Sequence, residues 1–100
     1  MEKLVEQFLP QIKKLMLAYG VERAYLFGSA AKDTMNDNID ADFIIKFPDE
    51  MNFVTYSDNY FALAEELELL LHKNVDLVTE KTLKNPYLIQ NINLHKLQLI

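Results

Sequence analysis

The sequence predicts an α/β (α+β) protein in which a small mixed β-sheet is flanked by helices. Short apolar runs of strand length alternate with longer stripes of helical spacing, and 50% of the residues are hydrophobic while 25% are charged. A chain of 100 residues has room for a single core, so we expect one domain over residues 1–100. About a dozen residues separate the first two predicted strands, which excludes a tight hairpin and favours a mixed sheet.

The N-terminal segment is predicted to be helical. Apolar residues recur at helical spacing over about residues 9–19, and Pro10 fits the first turn of such a helix because its missing N–H is not needed there. Residues 2–8 form either a separate turn or a kinked extension, and the pattern leaves both open. Gly20 is typical of the residue that follows a helix end.

Two strands are predicted on either side of a polar connection. The apolar run at 23–27 indicates a short buried strand, and residues 39–47 indicate a second strand that Pro48 ends. Between them, residues 30–32 favour a short helix, and residues 34–38 are rich in turn formers. The two strands are therefore joined by a long connection that combines a short helix with turns.

The C-terminal half begins with the longest predicted helix, over about residues 53–72. Its apolar stripe steps by three and four residues and comprises Phe53, Tyr56, Tyr60, Leu63, Leu67 and Leu70. We expect this stripe to face the core and the glutamates between its members to face solvent. A third strand follows at 75–78, Pro86 favours the first turn of a last helix, and residues 97–100 are either a final strand or a frayed end.

Composition narrows the classes of function. Ten Lys and Arg stand against fifteen Asp and Glu, a formal net charge of −5, so a long nucleic acid is not an expected partner. The chain has no cysteine, and two isolated histidines, His72 and His95, argue against a zinc site. No apolar run approaches the roughly 20 residues that cross a membrane, and the start lacks the basic region of a signal peptide. We therefore expect a cytoplasmic protein without membrane attachment.

The segment from Gly28-Ser29 to Asp40-Ala41-Asp42 carries the strongest chemical signal. A small-residue turn after a strand offers backbone N–H groups to a phosphate. Asp40 and Asp42 are two residues apart in the second predicted strand, so their side chains point to the same side. Two carboxylates side by side repel each other unless a cation lies between them. Metal-binding carboxylates beside a phosphate-binding turn predict phosphoryl or nucleotidyl transfer.

Each of these residues also has an ordinary structural explanation. Asp40 fits the cap of a turn, and Gly28-Ser29 taken alone is no more than a turn. Lys32 is most simply a solvated lysine. Asp42 fits an exposed strand residue, but it lies in an otherwise apolar run, where an unpaired carboxylate is costly. The spacing of the motifs, more than any single residue, favours the metal-binding interpretation.

Taken together, the glycine-serine turn and the aspartate pair resemble the Gly-Ser…Asp-x-Asp signature of the DNA polymerase β-like nucleotidyltransferase superfamily. Asp76, in the third predicted strand, resembles the third acidic position of that superfamily. The layout is most similar to its smallest members, the minimal nucleotidyltransferases (MNT). The resemblance extends over about residues 12–95 and implies the nucleotidyltransferase fold.

The resemblance implies a site that uses two Mg²⁺ ions and takes ATP as substrate. Asp40 and Asp42 would bind both ions, while Asp76 would complete the shell of the second ion or take the proton of the acceptor hydroxyl. The N–H groups of the turn would hold the β- and γ-phosphates. The implied site residues are Asp40, Asp42 and Asp76 for catalysis and metal binding, and Gly28, Ser29 and Lys32 for nucleotide binding.

The resemblance also implies a protein partner. MNT proteins are typically paired with a small helical HEPN protein, often as the antitoxin of a toxic RNase, and transfer AMP from ATP to a tyrosine of that partner. We therefore expect a hetero-oligomer with a HEPN-type protein. Ala30 and Asp33 stand where members often carry Arg and Gly. This departure keeps open a non-catalytic module that neutralises its partner by contact, and a third hypothesis is nucleotidyl transfer to a small-molecule acceptor.

Overall fold

The computed structural model describes residues 3–27, 41–83, 86, 89, 90 and 96–100. Its helices and strands run in the order α1 (Lys3–Gln7), α2 (Leu9–Ala18), β1 (Arg23–Phe27), β2 (Ala41–Lys46), α3 (Phe53–Leu71), β3 (Val75–Thr79), a single 3-10 turn (Glu80–Thr82) and β4 (Leu97–Gln98). The helix expected at 30–32 and the turns expected at 34–38 lie outside the described residues. None of the described helices is both long and apolar enough to cross a membrane.

The four strands form one mixed sheet in the order β3-β2-β1-β4. β1 pairs antiparallel with β2 and with β4, whereas β2 pairs parallel with β3. The expected mixed sheet is therefore confirmed. At the C-terminal end the structure shows a strand, because β4 pairs with β1 and the Leu99 N–H donates to the Ala24 carbonyl (2.8 Å).

Pro10 divides the N-terminal helical segment into α1 and α2. A proline has no N–H, so the helical hydrogen bond to the carbonyl four residues earlier is missing, and the helix is interrupted at Phe8. Backbone bonds from the Phe8 N–H to the Leu4 carbonyl and from the Ile12 N–H to the Phe8 carbonyl span the interruption. Residues 3–7 are thus a separate short helix, one of the two alternatives left open by the sequence pattern.

Gly20 follows the end of α2 in the left-handed conformation, with φ of +83°. A β-carbon at this position would lie 3.0 Å from the Met51 methyl group, so a larger residue would meet both backbone strain and a close contact. The N–H groups of Gly20 and Val21 donate to the carbonyls of Leu17 and Met16 in the last turn of the helix. The predicted helix end is confirmed.

One face of the sheet packs against α2 and α3 and forms the core. Alternating strand residues point to this side, where helical residues three or four positions apart meet them. The main buried side chains are Ile12, Met16, Ala24, Leu26, Ala41, Phe43, Ile45, Leu63, Leu67, Leu71 and Leu77. Burial of apolar surface here is the main favourable term for folding.

The second face of the sheet carries the side chains that alternate with the core-facing ones along each strand. Here Tyr25 and Ile44 are buried in a smaller apolar cluster, with Phe27 and Leu83 packed against them. The amine of Lys96 lies 4.0 Å from the centroid of the Tyr25 ring, as in a cation–π contact. Because strand residues alternate between faces, the charged residues of β1 and β2 also lie on this second face, at its two ends.

α3 is the longest helix and covers the core face. The Asn52 side chain caps its start by accepting a hydrogen bond from the Thr55 N–H (2.9 Å). His72 ends the helix in a left-handed conformation, with φ of 56°. His72 is exposed, as expected for a histidine at a helix end.

The expected apolar stripe of α3 is confirmed except at its first residue. Tyr56 and Tyr60 are half-buried against the core, but Phe53 is 81% exposed. Helical side chains tilt toward the N-terminus, so a side chain of the first turn points past the end of the helix instead of onto the sheet. The assignment of Phe53 to the core is therefore wrong.

β3 forms one edge of the sheet, and side chains occupy part of that edge. The Tyr60 hydroxyl donates to the Leu77 carbonyl, and the Thr82 hydroxyl donates to the Thr79 carbonyl (2.9 Å). An edge strand presents backbone groups with which another chain can pair. Donation from Tyr60 and Thr82 uses two of these groups and so protects the edge.

Candidate active site

The parallel pairing of β2 with β3 brings Asp42 and Asp76 side by side. The two residues are partners in the strand register, and neighbouring strands lie about 4.8 Å apart. Paired residues of a sheet point to the same face, so both carboxylates project from the second face, away from α3. Asp42 is half-buried and Asp76 is exposed. Two of the three predicted acidic residues therefore lie together.

Local packing explains why Asp42 points away from the core. Its neighbours Ala41 and Phe43 are fully buried on the core face, and strand alternation sends the side chain between them to the other side. The Ala41 N–H also donates to the Asn74 carbonyl (3.2 Å), which fixes the start of β2 against the start of β3. The apolar strand thus positions the acidic side chain.

Phe27 lies beside this pair, although the sequence reasoning did not identify it as a site residue. It is the antiparallel partner of Asp42, so the row across the sheet is Phe27, Asp42 and Asp76. An aromatic ring here gives the site an apolar wall. Its position directly before the glycine-serine turn is the available sequence signal, but a strand register across a long connection cannot be read from that position.

The carboxylate pair suits a hard divalent cation. Carboxylate oxygens are the ligands that Mg²⁺ prefers, and a cation between Asp42 and Asp76 would relieve the repulsion of two like charges on neighbouring strands. Within the described ranges, no group of three or more His, Cys, Asp or Glu side chains comes together. At this end of the sheet the described residues offer two carboxylates, and their chemistry fits Mg²⁺.

A hydrogen bond from Tyr60 connects α3 to the strand that carries Asp76. Its hydroxyl reaches from α3 to the carbonyl of Leu77, the residue after Asp76. Burial raises the pKa of Tyr60, and the charges of Tyr56 and Asp76 raise this pKa further. The protonated hydroxyl is the form that donates, so the raised pKa preserves the bond to a higher pH than an ordinary tyrosine would allow.

The other end of the second face carries charges of both signs. Lys46 donates a hydrogen bond to Glu22 (2.5 Å) and lies 3.8 Å from Asp49. Arg23 lies 3.7 Å from Glu80. The hydrogen bond between Lys46 and Glu22 is the main cause of a lowered pKa for Glu22 and a raised pKa for Lys46. Each of these charges faces an opposite one, which favours a structural role for this end.

Four of the predicted site residues lie outside the described residues: Gly28, Ser29, Lys32 and Asp40. Their roles in phosphate and metal binding stay predictions. The described strands nevertheless place both ends of the segment that contains them, because Phe27 ends β1 and Ala41 begins β2. That segment therefore leaves and re-enters the sheet at the end that carries Asp42.

A mixed sheet with paired carboxylates at one end suits metal-assisted transfer of a phosphoryl or nucleotidyl group. Comparison with known proteins agrees, since the family model of the nucleotidyltransferase domain matches residues 5–98. The chain belongs to this nucleotidyltransferase family. The predicted family and the predicted enzyme class are both confirmed.

Three known proteins show what the chain resembles. A Methanocaldococcus jannaschii protein named "Putative protein adenylyltransferase MJ1379" is 36% identical over 89 residues, which cover 88% of this chain and 87% of that protein. A crystal structure of a toxin-antitoxin with AMP-PNP has a TM-score of 0.73 at 26% identity, covering 92% of this chain and 72% of that one. A tri-AMPylated Shewanella oneidensis HEPN toxin in complex with MNT antitoxin gives a TM-score of 0.67 at 24% identity, covering 95% and 71%. This last likeness shows the fold alone, and it agrees with the predicted nucleotidyltransferase fold.

Proposed function

We propose that this chain transfers AMP from ATP to a hydroxyl group of a HEPN-type partner protein in a reaction that requires Mg²⁺. The observation that carries the proposal is the register pair of Asp42 and Asp76 at one end of the sheet. Carboxylates brought together in this way are the ligands that two-metal phosphoryl chemistry uses. Membership of the nucleotidyltransferase family supports the reaction class.

The known relatives support the nucleotide, the acceptor and the partner. The M. jannaschii protein bears an adenylyltransferase name, one solved neighbour is a toxin-antitoxin with AMP-PNP, and another pairs an MNT antitoxin with an AMPylated HEPN toxin. By analogy, we assign the acceptor as a tyrosine, the partner as a toxin and this chain as its antitoxin in a hetero-oligomer. We propose the cytoplasm as the site of the reaction, because ATP is available there.

The proposed reaction forms one bond to phosphorus and breaks another. The acceptor oxygen bonds to the α-phosphorus of ATP, the bond from that phosphorus to the oxygen bridging to the β-phosphate breaks, and pyrophosphate leaves. We assign the hydroxyl proton to Asp76, the exposed member of the pair. Bound Mg²⁺ would neutralise phosphate charge and lower the pKa of the attacking hydroxyl.

The other predicted site residues divide the remaining tasks in this proposal. Asp40 and Asp42 would bind the two metal ions, which would supply positive charge to the phosphates. The N–H groups of the glycine-serine turn hold the β- and γ-phosphates, and Lys32 neutralises part of their charge. The connection between β1 and β2 therefore binds the nucleotide, while the strand pair β2 and β3 activates the acceptor.

Label transfer tests the proposal. The purified chain is incubated with Mg²⁺, α-labelled ATP and a co-purifying HEPN-type protein, beside an Asp76→Asn control that keeps the side-chain shape and removes its charge. We expect a labelled partner band that is lost in the control and in excess EDTA. A normal rate in the control would contradict the mechanism.

Two other outcomes would replace the proposed function. No label from any nucleotide, with the complex intact, would favour neutralisation of the partner by contact alone. Label on a small metabolite, with no labelled protein, would favour a small-molecule acceptor.

A further inference from the structure

The side of α3 that points away from the sheet combines exposed apolar side chains with acidic ones. Val54, Phe61 and Leu69 lie about two turns apart on this side and are 66–69% exposed. Asp58 and Glu65 alternate with them along the helix. We call these five residues the outer stripe of α3. Large exposed apolar side chains in a row on one surface are typical of an interaction site.

The charges of α3 are unfavourable for the helix on its own. Its 19 residues include no Lys or Arg, and Glu65, Glu66 and Glu68 lie in its C-terminal half. Acidic side chains near the C-terminal end of a helix oppose its dipole, and like charges at neighbouring positions repel each other. Within the described part of the chain, none of the three is joined to a cation by an ion pair. A cationic partner would convert this local cost into attraction.

A groove of about 520 Å³ runs along the C-terminal half of the outer stripe. Phe61, Ala64 and Leu69 form its apolar wall, whereas Glu65 and Glu68 form an acidic rim. An apolar wall with a charged rim is the pattern of a groove that accepts an amphipathic helix.

The groove ends at the start of β3, the strand that carries Asp76 on the opposite face of the sheet. Lys73 and Asn74 line this end, and the Asn74 carbonyl accepts the hydrogen bond that starts the pairing of β2 with β3. Asp76 follows two residues later, about 7 Å further along the edge strand. The Lys73 amine is buried and has no hydrogen-bond partner among the described residues. A carbonyl oxygen from an occupant that ends here would satisfy this amine.

We propose that this groove docks a helix of the acceptor protein, one that presents apolar side chains flanked by Lys or Arg. The proposal rests on the proposed function, because the protein that docks here is the one that carries the acceptor hydroxyl. Charge complementarity selects the occupant. A second copy of this chain would bring its own acidic stripe, and a nucleic acid or an anionic membrane carries the same sign of charge.

A matched pair of variants tests the docking site. Phe61→Ser combined with Leu69→Ser removes the apolar wall, whereas Leu17→Ser removes an apolar side chain of α2 that is 60% exposed and lies outside the groove. Calorimetric titration with the HEPN-type partner should show at least tenfold weaker binding for the double variant and a change under twofold for the control. Equal weakening by both, or by neither, would overturn the proposal.

Charge reversal tests the chemistry of the occupant. Glu65→Lys combined with Glu68→Lys should weaken partner binding at least tenfold at low salt, and the affinity should then lose most of its dependence on salt concentration. Unchanged affinity would refute a basic occupant. Sedimentation of the wild-type chain alone provides a second check. If the wild-type chain forms a dimer and the Phe61→Ser and Leu69→Ser variant is a monomer, the groove serves self-association and the proposal is wrong.

Failure of the docking proposal is separable from failure of the proposed function. Docking is measured in the Asp76→Asn background, in which the chain is expected to bind its partner without labelling it. Groove-dependent binding with no labelling by the wild-type chain would leave the docking site standing and remove the transfer reaction. Normal labelling by the Phe61→Ser and Leu69→Ser variant, with an unchanged KM for the partner, would remove the docking site and leave the transfer reaction standing.

Discussion

The two ends of the second sheet face are built from the same strands but differ in how their charges are arranged. At one end, Arg23 and Lys46 each face a glutamate. At the other end, the strand register sets Asp42 beside Asp76, two groups of the same sign. The buried cluster around Tyr25 separates the two ends.

This contrast distinguishes a structural end from a functional one. The Coulomb attraction of opposite charges on a protein surface roughly offsets the cost of ordering their side chains, so the paired end needs no further explanation. Like charges on neighbouring strands are unfavourable, and stability alone gives no reason to keep them. Clusters of charge that folding does not favour are typical of sites where chemistry uses them.

Removing one carboxylate abolishes the pair of like charges at the acidic end and should give the largest effect on the rate of AMP transfer. Asp76→Asn keeps the side-chain shape and removes the proposed proton acceptor, so we expect AMP transfer to fall on the order of 10²–10⁴-fold, the range for loss of a proton-transfer group. Asp42→Asn removes a proposed metal ligand, so we expect a marked fall there too. Thermal melts of Asp76→Asn should show no loss of stability, because the repulsion between the carboxylates is relieved. Initial rates with α-labelled ATP measure the fall, and a wild-type rate in either variant would contradict the assignment.

Mg²⁺ should stabilise the acidic end and leave the paired end unaffected. A ligand present at 100 times its Kd adds about 2.7 kcal/mol to the free energy of unfolding, so Mg²⁺ should raise the Tm of the wild-type protein and EDTA should reverse the rise. Asp42→Asn should lose this rise, whereas Glu22→Gln at the paired end should keep it. The same rise in all three proteins would place the binding of Mg²⁺ elsewhere.

Tyr60→Phe tests how the strand under Asp76 is held. Loss of the hydrogen bond to the Leu77 carbonyl should lower the free energy of unfolding by about 0.5–1.5 kcal/mol. Because folding raises the pKa of Tyr60 above its ordinary value of 10.0, the wild-type contribution is complete below that pH and is lost as the pH rises through the folded-state pKa. Denaturant titrations on both sides of that pH should show a shallower alkaline decline in the variant, and superimposable profiles would disprove the role of this hydroxyl.

The smallest effect is expected at the paired end. Glu22→Gln removes an exposed ion pair with Lys46 that solvent already screens, so we expect a small decrease in Tm and an unchanged rate of AMP transfer. Because Lys46 lowers the pKa of Glu22, the contribution of the pair is present above about pH 4.5 and is lost as the pH falls through the folded-state pKa. Melts from neutral to acidic pH measure this loss. A marked fall in transfer would mean that the paired end also takes part in function.

Sequence and structure agree where local patterns decide the outcome. Strand alternation and helical stripes predicted β1, β2, α3 and β3 at their observed places. Gly20 marked the end of α2, and Pro48 marked the end of β2. Family resemblance grouped Asp42 with Asp76. It did not place Phe27 beside them, because the register of β1 on β2 depends on packing between segments joined by a long connection.

The exposed apolar residues of α3 show a second limit of sequence reasoning. Phe53 fits the helical period of the core residues yet lies past the end of the packed region. Phe61 and Leu69 are as apolar as core residues and remain exposed. A helical period shows which side of a helix a residue occupies, but only the neighbouring elements determine whether that side is covered.

The lack of basic residues in α3 has a practical consequence for proteolysis. Trypsin cleaves after Lys and Arg, and the sequence from Phe47 to Lys73 contains no internal site for it. Trypsin therefore releases the whole of α3 in a single peptide. A glutamyl endopeptidase, by contrast, finds Glu65 and Glu66 exposed on the helix. Slower glutamyl cleavage in a complex would thus report that a partner covers this helix, with neither a label nor a substitution.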